Sequence, residues 1–309
     1  MSAGRAGMPA QQAPEGSSAR RGGGTPVREA LQSAATAIAA AGCETPRLDA
    51  EVLLAQVLGV TREQLLSEPG LSVAGAAVRA YQSAVRRRAL EREPVAYIVG
   101  RRAFRNLELA VDRRALVPRP ETELLVEAAL ELPRGAAVLD VATGCGAVAL
   151  ALKQERPDLE VWGSDISEPA LELAAENAKA LGLEVRWLHA DLLDGIDDGF
   201  DALLANLPYV AEGERSALAP EILRHEPPRA LFAGAAGLDA ISALVAQLAE
   251  RDHQRVASVA LEVGAGQAER VAELLAQAGF GSLRVALDLG GIKRVVIGGR
   301  KGDRHGCES

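Results

Sequence analysis

From Ala136 onward, short apolar runs alternate with helical stretches, and this alternation constrains the fold more than any other feature. The runs are about Ala137–Asp140, Glu160–Ser164, Glu184–His189, Phe200–Ala205, Val256–Val263, Leu283–Leu289 and Arg294–Ile297. Helical periodicity falls between the early ones, roughly at Ala147–Gln154, Glu168–Leu181, Leu238–Arg251 and Gln267–Ala278. A βαβα order predicts an α/β domain with a mostly parallel sheet and helices on both faces. The last two runs are joined only by a short link containing Gly290-Gly291, so the final pair is expected to be antiparallel. Aromatic residues are 3% of the chain against 48% hydrophobic residues, so the core must be built mainly of Ala, Leu and Val.

The chain before this region reads differently. Its 309 residues suffice for two domains. Residues 1–25 are rich in Gly, Ala, Ser, Gln and Arg without periodicity and are expected to be a disordered arm. Residues 26–92 are helical in pattern. Val27 opens one amphipathic stretch that stops at Gly42, and Pro46 to Gly59 gives a second with Leu48, Val52, Leu53 and Val57 along one side. Thr61 is a candidate N-cap with Gln64 at the capping-box position. A last helix, about Ala74 to Glu91, carries Arg86-Arg87-Arg88, either a solvated face or a contact for an acidic partner. Residues 93–111 alternate through Pro94–Gly100, Arg101–Phe104 and Leu107–Val111 and are expected to form an inter-domain β-hairpin. Residues 112–299 make the sheet domain, entered through Val117-Pro118-Arg119-Pro120-Glu121-Thr122-Glu123. There Pro120 suits a first helical position and the acids suit the positive end of a helix. Residues 300–309 read as a disordered tail.

Some functions are disfavoured at once. A formal net charge of -8 argues against a protein whose main work is gripping phosphate backbone. Cys43, Cys145 and Cys307 are scattered, with no metal-ligand spacing, so no metal is expected. Their odd number is a poor disulfide framework and points to a reducing, cytoplasmic compartment. No apolar run is long enough for a membrane span, and the N-terminal arginines precede no apolar signal region.

Two motifs carry chemistry. The first is Asp140-Val141-Ala142-Thr143-Gly144-Cys145-Gly146-Ala147, which follows the first strand and opens a helix. Its glycines permit a tight turn and close approach to a ligand. Asp165 ends the next strand, where a carboxylate can take both hydroxyls of a ribose. Gly144-x-Gly146-x-x-Ala149 fits a dinucleotide fingerprint equally well, and a glycine turn with no ligand is the plain alternative. Asp140 would repel a pyrophosphate but suits a cationic ligand such as S-adenosylmethionine. Asp191, with Leu192 beside it, ends the third strand where it can accept from an adenine amino group. The competing reading of Asp191 is a surface loop acid.

The second motif is Asn206-Leu207-Pro208-Tyr209, at the end of the apolar run Leu203-Leu204-Ala205. Pro208 cannot donate to a ladder and holds Leu207 extended, so the strand stops in a stiff turn. That turn presents one amide, one backbone carbonyl and one phenol at the ligand-binding edge of an α/β sheet. An ordinary strand exit is the bland alternative.

Taken together, these segments resemble the HemK/PrmC family of class I methyltransferases. The matching residues are Arg47-Leu48-Asp49-Ala50-Glu51 with Leu53-Leu54, Pro94 to Gly100 with Phe104, Val117 to Glu123, the glycine turn, Asn206 to Tyr209, and Arg224-His225-Glu226-Pro227 with Ala230-Leu231. The resemblance spans about Val27 to Gly299. It implies a class I methyltransferase Rossmann-like sheet plus a small all-helical N-terminal domain that engages the substrate protein. It also implies methyl transfer from S-adenosylmethionine to a glutamine side-chain amide in peptide chain release factors, with no stable nucleic-acid partner and no membrane. Carried over by position, Ala142, Thr143, Gly144, Cys145 and Gly146 line the donor and Asp165 holds its ribose, and Asp140, Asp191 and Leu192 are candidate donor contacts from their own places at the strand ends. Asn206, Leu207, Pro208 and Tyr209 hold the glutamine, and Asn206 also borders the donor. The family's usual tetrapeptide is Asn-Pro-Pro-Tyr, and this chain departs from it at Leu207. Two other readings compete: methyl transfer to an exocyclic nitrogen of an RNA or DNA base, and a dinucleotide-dependent oxidoreductase or a non-catalytic binding module.

Overall fold

The computed structural model describes residues 24–68, 70–196, 199–250 and 256–300. The arm expected at 1–25 therefore lies outside the described residues except for Gly24 and Thr25, and so does the tail beyond Arg300. The chain divides into two compact units, Met1–Glu91 and Arg92–Ser309.

The first unit holds β1 (Thr25–Pro26), α1 (Val27–Ala40), α2 (Pro46–Leu58), α3 (Arg62–Ser67), β2 (Ser72–Val73) and α4 (Ala76–Ala89). Thr25 is thus a strand residue, paired antiparallel with Val73. In α1 the buried residues Val27, Leu31, Ala34 and Ile38 fall at helical spacing on one face. Thr61 caps α3 as expected: the Gln64 N–H donates to Thr61 Oγ1 at 3.2 Å and the Thr61 N–H to Gln64 Oε1 at 2.9 Å.

Helix α2 departs from its hydrophobic pattern. Leu48, expected on the buried side, is 43% exposed, while Asp49 and Glu51 are buried with Ala50, Leu53 and Leu54. The reason is ion pairing. Arg88 Nε donates to Asp49 Oδ2 at 2.6 Å. Glu51 receives Arg47 Nε at 2.6 Å and Arg62 Nη2 at 2.8 Å. The arginine triplet of α4 is therefore not one face: Arg86 is exposed, Arg87 half-buried and Arg88 buried.

The second unit opens with α5 (Val95–Val99), β3 (Arg101–Phe104) and β4 (Leu107–Ala110). β3 and β4 form the expected antiparallel hairpin. Val95–Val99 is a helical turn rather than a strand. Pro94 starts it, Gly100 at φ 77° ends it, and the Tyr97 hydroxyl is fixed on the Ala115 carbonyl at 2.6 Å. A 3₁₀ turn at Pro120–Thr122 leads into α6 (Glu123–Ala129).

There follow β5 (Ala137–Val141), α7 (Ala147–Glu155), β6 (Glu160–Asp165), α8 (Glu168–Leu181), β7 (Arg186–His189), β8 (Ala202–Ala205), α9 (Pro220–His225), α10 (Asp239–Glu250), β9 (Ser258–Glu262), α11 (Ala268–Gln277), β10 (Phe280–Leu287) and β11 (Lys293–Arg300). The seven-stranded sheet has the order β10-β11-β9-β8-β5-β6-β7. β5 to β9 pair in parallel, and β11 runs antiparallel to both β9 and β10. Both faces are covered, so residues along a central strand alternate between two cores. Leu204 packs with Leu125, Leu150 and Val138. Leu203 packs with Leu139, Leu244 and Leu275. No helix among the described residues is long and apolar enough to cross a membrane.

This topology positions the site. β5 pairs with β6 on one side and β8 on the other. The chain leaves β5 in one direction and returns beyond it, which opens a crevice at the carboxyl edge where the strand order reverses. The glycine turn follows β5, and the tetrapeptide follows β8.

Candidate active site

A cavity of about 580 Å³ lies at that crevice. It is lined by Asp140, Ala142, Thr143, Gly144, Cys145, Asp165, Asp191, Leu192, Asn206, Leu207 and Pro208 among others. Two of the expected residues are not on its wall. Gly146, at φ 83°, opens α7, and a Cβ there would stand about 3.0 Å from Leu150 of α7, 3.1 Å from Trp187 of β7 and 3.2 Å from Ala174 of α8, so the glycine serves close packing of the turn against these side chains. Tyr209 stands aside, with its ring beside Gly264 and its hydroxyl 3.4 Å from Glu262.

The turn is held by its own polar groups. The Thr143 hydroxyl donates to Asp140 Oδ2 at 2.6 Å, and the Ala149 N–H donates to the same oxygen at 3.2 Å. Asp165 receives the Gly144 N–H at Oδ2 and the Ser167 N–H at Oδ1, each at 2.9 Å. Asn177 of α8 clamps the turn from behind, donating to the Cys145 carbonyl at 3.0 Å and the Ala110 carbonyl at 3.1 Å. Ala142 and Leu192 take left-handed φ angles of 58° and 53°. Such angles are uncommon for non-glycine residues and gather where a surrounding site fixes the backbone.

Electrostatics favour a cationic guest. Burial lifts the Asp140 carboxyl to about 7 against the Thr143 and Ala149 hydrogen bonds. Burial likewise raises Asp165. A positive group in the cavity would relieve both by favouring the ionised forms. Asp140 and Asp165 on one wall, beside a turn with room for close backbone approach, fit the sulfonium, ammonium and ribose of S-adenosylmethionine. A carboxylate still has lone pairs for a diol after accepting one N–H per oxygen. Asp165→Ala should therefore weaken S-adenosylmethionine binding by about 1.5–3 kcal/mol, the cost of a lost charge-assisted hydrogen bond. Calorimetric titration checks it, and unchanged affinity would remove Asp165 from the donor site.

The tetrapeptide is fixed from three directions. Asn206 Nδ2 donates to Thr122 Oγ1 at 3.0 Å. Leu207 is 2% exposed, packs in the core and lines the cavity. Gln267 Nε2 donates to the Tyr209 carbonyl at 2.9 Å while the Gly264 N–H holds Gln267 Oε1 at 2.8 Å. Beyond it, Val210 bridges to Phe232, which brings the segment after Glu226 onto the cavity wall.

Several site residues had no role assigned from sequence. Arg119 lines the cavity, and its Nη2 donates to buried Glu226 Oε1 at 2.7 Å. Both belong to the proline-flanked segments Val117–Glu123 and Arg224–Pro227, whose opposite charges were the available signal. Thr122 lies in the first of these. Glu262 gave a weaker sign, an acid at the end of an apolar run that ends beside the strand carrying Asn206. Asn177 and Gln267 gave none, because single polar residues on helices are ordinary.

Residues 29–100 match the family described as the PrmC N-terminal domain, and residues 120–236 match the methyltransferase small domain. The chain is 39% identical over 280 residues to the release factor glutamine methyltransferase of Deinococcus radiodurans, covering 89% of this chain and 99% of that protein. It is 41% identical over 273 residues to the release factor glutamine methyltransferase of Cereibacter sphaeroides, covering 87% of this chain and 96% of that protein. Among solved structures, the hMettl16 catalytic domain in complex with the MAT2A 3'UTR hairpin 6 superimposes with a TM-score of 0.52 at 13% identity, over 74% of this chain and 82% of that one. That likeness establishes the sheet architecture alone. With its fold, its glycine turn and its near-complete alignment to these two relatives, the chain belongs to the release factor glutamine methyltransferase family.

Proposed function

We propose that this protein methylates the side-chain amide nitrogen of a glutamine in peptide chain release factors, with S-adenosylmethionine as donor. The observation that carries the reading is the orientation of Asn206 beside the glycine turn. Its Nδ2 donates to Thr122, an orientation in which Oδ1 serves as the acceptor for a substrate in the cavity that Asn206 lines.

An amide nitrogen is a poor nucleophile because its lone pair is delocalised into the carbonyl. Asn206 Oδ1 and the Leu207 carbonyl supply two acceptors for its two N–H groups. Held that way, the nitrogen is oriented for attack, and positive charge developing on it is stabilised by the same oxygens. Asp140 and Asp165 hold the donor, which supplies an electrophilic methyl on a sulfonium. Pro208 keeps the Leu207 carbonyl fixed, so leucine in place of the family's usual proline retains the acceptor. The product sheds its proton after transfer, and no dedicated general base is required.

The same reading gives the helical N-terminal unit the task of engaging the release factor, and it places the enzyme in the cytoplasm without a stable nucleic-acid or membrane partner. A chain starting at Arg92 is then expected to bind S-adenosylmethionine yet hardly methylate an intact release factor. Full activity of that truncated chain would refute the recognition role. The reading as a whole is tested by transfer of labelled methyl to purified release factors and, in parallel, to ribosomal RNA. Label in a release-factor glutamine supports it. Label in RNA alone would overturn it.

A further inference from the structure

Glu262 ends β9. Its neighbour Leu261 pairs with Ala205 of β8, so Glu262 and Asn206 stand side by side at the same sheet edge. Glu262 is 1% exposed. Its Oε1 accepts from the Tyr209 hydroxyl over a long 3.4 Å. Its Oε2 is buried without a hydrogen-bond partner. An acid in that state destabilises the fold and calls for a reason. The Thr122 hydroxyl lies beside the carboxyl and opposes the effect of burial on its acidity. Thr122 Oγ1 is also the atom that accepts from Asn206 Nδ2 at 3.0 Å.

A hydroxyl has a single proton. While Thr122 Oγ1 accepts from Asn206, that proton points elsewhere, and an ionised carboxylate can only accept. With that proton turned toward the neighbouring carboxylate, the three groups would form a directed chain, from Asn206 N–H to Thr122 and from Thr122 O–H to Glu262. The reverse direction, with a donor at position 262, would let Thr122 donate to the Asn206 oxygen and turn an N–H toward the cavity. A donor there repels the N–H groups of a substrate amide.

We infer that Glu262 is a positioning residue for methyl transfer: its carboxylate sets the donor direction through Thr122 so that Asn206 offers Oδ1 to the substrate. The same carboxylate takes the Tyr209 hydroxyl, so both ends of the tetrapeptide are referred to one buried group. The inference rests on the glutamine reading above.

The groups facing Glu262 are Thr122 and Glu121 from the entry to α6, Tyr209, and Arg294 of β11, itself paired with Asp288 at 2.8 Å. Burial lifts the Glu262 carboxyl to about 7, opposed by the two hydroxyls and Arg294 and reinforced by Glu121. The ionised form is the working one, so turnover with both substrates saturating rises with pH through that value. Asp140 also titrates near 7, but it lines the donor cavity, and its effect appears in donor affinity rather than in saturated turnover.

The test uses the full chain and a purified release factor. Glu262→Gln is expected to lower kcat by on the order of a hundredfold, as misplacement of a positioned group does. It should leave S-adenosylmethionine affinity by calorimetry unchanged and abolish the acidic limb of the kcat–pH profile. Thr122→Val should lose turnover in the same way, and Thr122→Ser should restore it, since the hydroxyl and not the methyl is the link. Wild-type kcat with an intact acidic limb in Glu262→Gln would overturn the inference, as would Thr122→Ser being as poor as Thr122→Val. If Glu262→Gln fails to fold, the Thr122 pair decides. A wild-type protein that methylates no release factor refutes the proposed function itself, a result distinct from either of these.

Discussion

Asn206→Ala should bind S-adenosylmethionine with near wild-type affinity and transfer methyl about a hundredfold to a thousandfold more slowly, the range for losing one preorganised polar contact at a reacting centre. The separation of the two effects follows from the topology. The donor is held by the turn after β5 and by Asp165 at the end of β6, whereas Asn206 follows β8. The turn's hydrogen bonds, Thr143 to Asp140 and Gly144 to Asp165, do not involve Asn206. Removing the amide takes one of two acceptors from the substrate nitrogen, so the Leu207 carbonyl is left to orient it alone. Calorimetry for the donor and labelled-methyl transfer to a release factor separate the two quantities. Wild-type turnover in the variant would mean that the tetrapeptide is not the acceptor site. Equal loss of donor affinity and turnover would mean that Asn206 serves the donor first.

The sheet, its closing antiparallel pair and the two motifs at its carboxyl edge were legible because each rests on local chemistry. Alternating apolar runs, a glycine pair after a strand and a proline that ends one are visible within a few residues. The α3 cap was legible for the same reason, since Thr61 and Gln64 lie within one turn. What escaped depends on partners distant in sequence. Asn177 reads as an ordinary helix residue until the fold brings it to Ala110 and Cys145. Glu226 looks exposed until Arg119 meets it 107 positions away. Val95–Val99 carries strand-like composition, but Pro94, Gly100 and the buried Tyr97 hydroxyl select a helical turn. The buried side of α2 was misread because a hydrophobicity pattern counts Asp49 and Glu51 as solvent-facing, and pairing with arginines from other helices removes that assumption.

That last misreading has a measurable consequence, because the Asp49–Arg88 pair is the most deeply buried of the described ion pairs of the helical unit. The two side chains are 7% and 6% exposed. Replacing a buried pair by apolar residues is often neutral, but removing one partner leaves a charge without its counter-charge and costs about 3–5 kcal/mol. Arg88→Leu should therefore destabilise the helical unit by that amount. Thr45 Oγ1, which donates to Asp49 Oδ1 at 2.8 Å, would remain as a neutral partner and cannot replace a guanidinium. The double variant Asp49→Leu with Arg88→Leu should recover most of the loss, because neither charge of this pair is then left buried without the other. Amide hydrogen exchange locates the effect: opening should increase across α1, α2 and α4 while the sheet around β5 and β8 keeps its protection. Affinity for S-adenosylmethionine should be unchanged in Arg88→Leu, and transfer to an intact release factor should fall with the population of the folded helical unit. A single variant as stable as wild type would show that the pair contributes nothing. A double variant no more stable than the single one would show that packing of the arginine stem, not its charge, holds α4 to α2.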